Sequence, residues 1–145
     1  MTTASKDLEL TCTRTIAAPP EALYDAWLDA EKLAQFMRPG ASVTIARAEN
    51  DPRLGGRFDI VMQTPETEIP HWGIYQTLDR PNRIVFTWNS PFTTGEDSTV
   101  TLDFTAVKGG TEVRLHHIRF PSEESRKDHE AGWGAILATL SEAIA

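Results

Sequence analysis

Four histidines and a single cysteine are the residues of this sequence whose chemistry could support catalysis or metal binding. His116 and His117 are adjacent in a segment that alternates like a β-strand, so their side chains point to opposite faces and cannot bind one metal ion as a pair. His71, His117 and His129 could converge, but no Cys, Asp or Glu at metal-ligand spacing accompanies them. We therefore predict no metal site and no cofactor.

Cys12 and His117 come closest in type to a nucleophile and a general base. Cys12 alternates with apolar residues, and a free cysteine in such a position is typically buried and inert. His117 shares its predicted inward face with Val113 and Leu115, which favours a core or cavity histidine over a general base. The sequence leaves an enzymatic function open but supports none, and we predict no catalytic residue.

Arg14 falls on the same predicted strand face as Leu10 and Ile16, where a buried cation would need a partner. A structural salt bridge, or an arginine at the sheet edge with its charged end in water, is the favoured interpretation. The alternative is a counter-ion for an acidic ligand, because a guanidinium can bind a carboxylate through two parallel hydrogen bonds.

Large aromatic residues that are predicted to face one interior form the strongest functional pattern. Each one alone is better explained by core packing. Together with a few polar groups they match a small-molecule site, which has apolar walls and sparse orienting groups. We predict a cavity between Trp133 and the Tyr75, Trp88 and His117 positions. The candidate ligand-binding residues are Trp133, Trp88, Tyr75, His117, Phe58, Phe36, Met37, Leu137, Phe104 and Arg14.

Composition limits the classes of protein to which the chain can belong. With 145 residues and 40% hydrophobic residues, it has the length for a single domain over 1–145 with a substantial core. Its net charge of −7 disfavours nucleic acid and anionic membranes as partners. No apolar run approaches the ~20 residues that cross a bilayer, and the start of the chain does not resemble a signal peptide. Cytoplasmic localisation is the expectation.

Alternation and turn residues predict the elements that position these side chains. Six strands in succession with short turns predict an antiparallel meander, and two short helices follow the first strand. Asp29 is the predicted N-cap of the second helix, and Ser122 that of a long last helix over about 123–143. The predicted strands are 8–16, 42–49, 56–62, 68–78, 83–88, 98–107 and 111–120, and the short helices lie at 17–28 and 30–36.

The last helix carries one apolar stripe formed by Trp133, Ile136, Leu137, Leu140 and Ile144. Gly132 and Gly134 flank the tryptophan, although each glycine costs about 1 kcal/mol relative to alanine in a helix interior. We predict that these glycines let the helix approach strand backbone closely while Trp133 projects inward. Alanine at either position should then destabilise the fold.

Four stretches resemble the family named after the activator of heat-shock-protein-90 ATPase, within the START/birch-pollen-allergen (SRPBCC) superfamily. The resemblance implies an α+β helix-grip fold, in which a bent antiparallel sheet of about six to seven strands wraps around a long C-terminal helix and leaves a cavity. The family often has an aromatic pair where this chain has Phe36-Met37, so the cavity mouth is expected to differ in shape. The stretches are RTIAAPPEALYDAW (14–27), GIYQTLDRPNRIVFTW (73–88), GGTEVRLHH (109–117) and HEAGWGAILATL (129–140).

Three functions from different classes follow. The first is a cytoplasmic domain that holds a hydrophobic or amphipathic small molecule between the C-terminal helix and the sheet. The second, implied by the family name, is a co-chaperone-like regulator of a heat-shock ATPase. We rank it lower and expect no stable activation by this chain alone, because the N-terminal region of the eukaryotic activators has no counterpart before the first strand.

The third function, implied by other members of the superfamily, is a polyketide cyclase-like or hydrolase-like enzyme. An open internal pocket would favour binding or catalysis, whereas an exposed apolar patch would favour a partner surface. A homodimer is also expected, because Trp72, Ile74 and Ile118 are predicted to be apolar residues on the outer face of the sheet.

Overall fold

Seven strands and three helices make up the part of the chain that the computed structural model describes, residues 8–91, 93 and 98–144. No helix in these residues combines the length and the apolarity that crossing a membrane requires. The strands are β1 (Glu9–Ile16), β2 (Thr44–Asn50), β3 (Arg57–Gln63), β4 (Glu68–Asp79), β5 (Arg83–Thr87), β6 (Thr99–Val107) and β7 (Gly110–Ile118). The helices are α1 (Pro20–Trp27), α2 (Ala30–Phe36) and α3 (Glu123–Ile144).

The strands form one antiparallel sheet in the order β1-β7-β6-β5-β4-β3-β2. Strands β2 to β7 follow one another as a meander, and β1 pairs with the last strand, with Glu9 opposite Ile118 and Ile16 opposite Thr111. The sheet curls around α3, and α1 and α2 follow β1. This arrangement confirms the predicted α+β helix-grip fold.

Side-chain caps fix the starts of two helices at the predicted positions. The Asp29 carboxylate accepts hydrogen bonds from the backbone N–H groups of Glu31 and Lys32 at 2.9 and 3.3 Å. The Ser122 hydroxyl accepts one from the backbone N–H of Ser125 at 3.1 Å. Each cap satisfies N–H groups that have no partner within the helix, which typically stabilises a helix by about 1 kcal/mol.

The core lies between the concave face of the sheet and the apolar stripe of α3. Trp133, Ile136, Leu137 and Leu140 are all buried, while Ile144 is only partly covered. Burying a large apolar side chain contributes about 1.5–3 kcal/mol relative to leaving it in water. The stripe therefore holds the helix against the sheet, as its spacing predicted.

Close approach of backbone occurs at Gly73 in β4, not at the glycines of α3. A Cβ on Gly73 would lie 1.8 Å from the Thr87 carbonyl oxygen, whereas one on Gly134 would meet nothing within 4 Å. A Cβ on Gly132 would meet only the Pro39 side chain, at 3.3 Å. The predicted contact of Gly132 and Gly134 with strand backbone is wrong, because Gly132 faces the Pro39 side chain and Gly134 is exposed.

Candidate functional site

A pocket of about 530 Å³ opens between the N-terminal half of α3 and the β3–β4 hairpin. Its volume falls within the range of about 300–1,000 Å³ that is typical of small-molecule sites. Its apolar and aromatic lining consists of Pro39, Val43, Met62, Ile69, Trp88, Trp133 and Ile136, and its polar or small lining consists of Thr64, His71, Ser122, Glu124, Ser125, Asp128, His129 and Gly132.

The sheet and the helix each bring one regular set of side chains to this pocket. In the sheet, Met62 of β3 lies opposite Ile69 of β4, and His71 follows on the same face two residues later. In α3, the lining residues recur every three or four positions, which places them on one side of the helix. They run from Glu124 to Ile136.

Trp133 and His117 form a buried polar contact next to the pocket. The Trp133 Nε1–H donates to Nδ1 of His117 at 3.0 Å, so the ring proton of the neutral imidazole is on Nε2. That Nε2–H donates to the hydroxyl of Ser98, and both His117 and Ser98 are completely buried. Burial, with smaller contributions from His129 and His116, lowers the pKa of His117 well below its usual value. The imidazole is therefore neutral.

The Ser98–His117 pair has the composition of a nucleophile and its base but not the required tautomer. Activating a serine requires an unprotonated ring nitrogen facing the hydroxyl, with the second ring nitrogen donating to an orienting group. Here the nitrogen facing Ser98 carries the proton, and the second nitrogen accepts from Trp133. This arrangement ties β7 to α3 and does not activate Ser98.

His71 and Trp88 carry buried polar atoms that lack partners among the described residues. The two rings lie 4.9 Å apart, and neither Nδ1 of His71 nor Nε1 of Trp88 has a hydrogen-bond partner there. Burial lowers the pKa of His71 to about 4, so the ring is neutral at pH 7. A buried polar atom without a partner costs about 1–3 kcal/mol. A hydrogen-bonding molecule at these atoms would recover part of that cost.

His129 lies on α3 beside these residues and is half-buried. Its Nδ1–H donates to the Ser125 carbonyl oxygen at 2.8 Å, which leaves Nε2 as an acceptor. Burial is the main cause of the lowered pKa of His129. Its ring lies 5.3 Å from that of His117, but the described residues contain no group of three or more His, Cys, Asp or Glu side chains able to hold a metal ion.

Of the ten side chains predicted to bind a ligand, Trp133 and Trp88 line the 530 Å³ pocket. Tyr75, Phe58 and Met37 instead surround a separate void of about 10 Å³, which has room for about one water molecule. His117 is buried behind Trp133. The other buried members of the predicted set belong to the packed core and line neither space. They are Phe36, Leu137 and Phe104.

Arg14 is exposed, which agrees with the edge arginine of the favoured interpretation, and it lies outside the pocket lining. Strand β1 is at the edge of the sheet, where a long arginine side chain can extend past the last strand into water. Sequence reasoning also missed the polar side of α3 as a pocket wall. The available signal was the spacing of Ser125, His129, Gly132 and Ile136, which places small and polar residues beside Trp133.

The curled sheet that surrounds α3, with two short helices after β1, places the chain among helix-grip proteins of the SRPBCC type. The family model described as "Activator of Hsp90 ATPase homolog 1-like protein" matches residues 17–145. The chain therefore belongs to this family.

Solved structures with the same fold extend over almost the whole chain. A Chromobacterium violaceum protein is 22% identical, with a TM-score of 0.87 over 95% of this chain and 97% of its own, and shows the shared fold. The Silicibacter pomeroyi AHSA1 protein is 27% identical, with a TM-score of 0.80 over 93% and 96%. A Plasmodium falciparum protein described as an HSP90 activator is 28% identical, with a TM-score of 0.68 over 87% of each chain. No curated protein matches the sequence.

Proposed function

We propose that this chain binds a small apolar or amphipathic molecule in the pocket between α3 and the β3–β4 hairpin. The observation that carries the proposal is the pocket itself, about 530 Å³ in volume with tryptophan rings in its wall. The Trp88 and Trp133 rings lie 4.8 Å apart at an angle of 57° and form an aromatic corner. Apolar surface of this kind gains about 25 cal/mol for each Å² that a ligand removes from water.

The buried polar atoms at this corner also support a binding function. His71 lines the pocket and is only 7% exposed, yet its Nδ1 lacks a partner among the described residues. Packed interiors rarely leave a polar atom in this state without a bound molecule or a functional reason. An amphipathic ligand would supply both apolar contact and a hydrogen-bonding group.

Native mass spectrometry of freshly purified protein tests the proposal, because it reports a retained small molecule directly. The two helix glycines provide matched variants for that experiment. Gly132 lines the pocket, so Gly132→Leu should fill part of it and remove the bound mass. Gly134→Leu places the same side chain two residues away in open space and should keep it. Equal retention by both variants would contradict binding in this pocket.

A co-chaperone-like role is the second candidate. The family match and the Plasmodium falciparum neighbour described as an HSP90 activator favour it. The exposed large hydrophobic residues in the described chain are Leu54, Ile74 and Val107, in the β2–β3 loop, in β4 and at the end of β6. We rank this role second because the pocket brings seven apolar residues together in one lining, against these three exposed ones. A several-fold rise in ATP turnover by the cognate chaperone, on addition of the purified chain, would support it.

A further inference from the structure

We propose that the ligand of this pocket is an organic amine, with its ammonium group beside Glu124 and Asp128 and its apolar body against Trp88 and Trp133. This inference rests on the proposed function, since it names the chemical class of molecule that the same pocket selects. Three features of the lining support it: its formal charges, its hydrogen-bonding groups and its aromatic surface.

Both formal charges in the described lining are negative. Glu124 and Asp128 are four residues apart on α3, and the lining residues include no lysine or arginine. Neither carboxylate forms an ion pair within the described residues. Arg126 pairs instead with Glu123 at 2.8 Å and with Glu130 at 3.4 Å. The pocket mouth therefore presents two carboxylates without counter-ions.

The cation in the neighbouring loop, Arg38, forms no ion pair with either of these carboxylates in the described part of the chain. Arg38 precedes the lining residue Pro39, and its Nε–H donates to the Val43 carbonyl oxygen at 2.8 Å. The two imidazoles in the lining add no positive charge at pH 7, because burial lowers the pKa values of His71 and His129. A ligand must therefore bring its own cation if the carboxylates are to be paired.

Three hydrogen-bond donors of the lining are occupied within the protein. The Trp133 Nε1–H is donated to His117, the Thr64 hydroxyl to the Thr67 carbonyl oxygen at 3.0 Å, and the His129 Nδ1–H to Ser125. Acceptors remain: the two carboxylates and Nε2 of His129. The Trp88 Nε1–H is buried and has no partner among the described residues, and the same is true of Nδ1 of His71. The remaining acceptors favour a ligand with donors, and an ammonium group carries up to three.

The N-terminus of α3 opposes this preference for a cation, since a helix N-terminus carries about half a positive charge and attracts anions. Here the Ser122 hydroxyl already accepts the Ser125 N–H, and two full negative charges lie in the first turns of the helix. The net charge at the pocket mouth is therefore negative, and it would repel an anionic ligand. An ammonium group near the Trp133 or Trp88 ring would also gain cation–π attraction.

A set of three probes with the same hydrocarbon body tests this inference. They are adamantylmethylamine, adamantylmethanol and adamantanecarboxylate, which do not absorb where tryptophan is excited. Tryptophan fluorescence of the full chain at pH 7 gives a Kd for each. We expect the amine to bind about three- to tenfold more tightly than the alcohol, as two exposed ion pairs would allow, and the carboxylate to bind most weakly.

Variants that neutralise carboxylates then show which residues cause the preference for the amine over the alcohol. The double variant Glu124→Gln/Asp128→Asn should reduce the amine-to-alcohol ratio to about one. Glu142→Gln removes one carboxylate charge from the exposed far end of α3, outside the lining, and should keep the wild-type ratio. Binding of the carboxylate as tightly as the amine would overturn the amine inference while the pocket proposal stands. Failure of all three probes to bind would overturn both.

Discussion

The indole N–H of Trp133 donates to Nδ1 of His117 at 3.0 Å, and both side chains are at most 2% exposed. This bond joins the middle of α3 to β7 and fixes the tautomer of the imidazole. It also accounts for the position of Trp133, whose ring lies between the core and the pocket. The same tryptophan therefore serves as a core residue and as a pocket wall.

Trp133→Phe should lower the free energy of unfolding by about 1–3 kcal/mol, because it leaves the buried Nδ1 of His117 without its donor. Urea unfolding followed by circular dichroism measures the change. In a His117→Leu background the same substitution should lower the free energy of unfolding by less, since no acceptor is left unpaired. Equal costs in the two backgrounds would show that the hydrogen bond contributes nothing.

Stability should fall as the pH drops from 7 to 5.5. The pKa of His71 is about 4 in the folded chain against about 6.5 when unfolded, so the unfolded chain takes up its proton first. Each histidine of this kind removes about 1 kcal/mol of stability over this interval, and the loss continues until the pH reaches the folded pKa. His117 shifts in the same direction. Urea unfolding at the two pH values measures the effect.

The variant His71→Gln should reduce this pH-dependent loss by about 1 kcal/mol. Carboxyl groups do not obscure the result. Hydrogen bonds from arginine lower the pKa values of Asp25, Asp59 and Glu123, so their contribution is lost only at pH values below this interval. An unfolding free energy that is the same at pH 7 and 5.5 would contradict neutral burial of these imidazoles.

The sequence predicted the elements well because each has a local signal. Asp29 and Ser122 are strong capping residues, and the stripe that includes Trp133 has helical spacing that only one face of α3 can bury. The pocket was harder to predict because it depends on how far a helix stands from a sheet. Aromatic type selected Trp88, which lines the pocket, but also Phe104, which packs in the core.

For Arg14 the sequence left open a structural salt bridge or a position at the sheet edge, and the structure places it at the edge. Alternation assigns a strand face but does not show that β1 lies at the sheet edge, because its neighbour β7 comes about a hundred residues later in the chain. The polar wall of α3 was missed for a similar reason. Its residues are ordinary for a solvated helix face, and only the β3–β4 hairpin beside them turns that face into a pocket wall.

Gly134→Ala should raise the free energy of unfolding by up to about 1 kcal/mol, because the added methyl meets nothing within 4 Å and alanine is the better helix former. Gly73→Ala provides the opposite test. Its methyl would lie 1.8 Å from the Thr87 carbonyl oxygen, so we expect a loss of about 3 kcal/mol or more. Thermal unfolding distinguishes the two. A destabilised Gly134→Ala would restore the idea that α3 needs this glycine.

The homodimer stays a prediction, and the strand order limits which face could form it. Ile74 is 39% exposed and Trp72 is half-buried on β4, but Ile118 lies on β7, with β5 and β6 between them. A dimer would therefore form through the β4 side. Light scattering at micromolar concentration should give twice 16.1 kDa, and Ile74→Lys should restore a monomer. A wild-type mass of 16.1 kDa would contradict the prediction.

Binding in the pocket is most directly tested by the indole N–H signals of the four tryptophans in a ¹⁵N NMR titration with adamantylmethanol. Trp88 and Trp133 line the pocket, whereas Trp27 packs against Phe36 and Trp72 lies on the convex face of the sheet. We predict saturable shifts for Trp88 and Trp133, with Trp27 and Trp72 unchanged. Shifts confined to Trp72, or no shifts at all, would contradict a ligand-binding pocket between α3 and the β3–β4 hairpin.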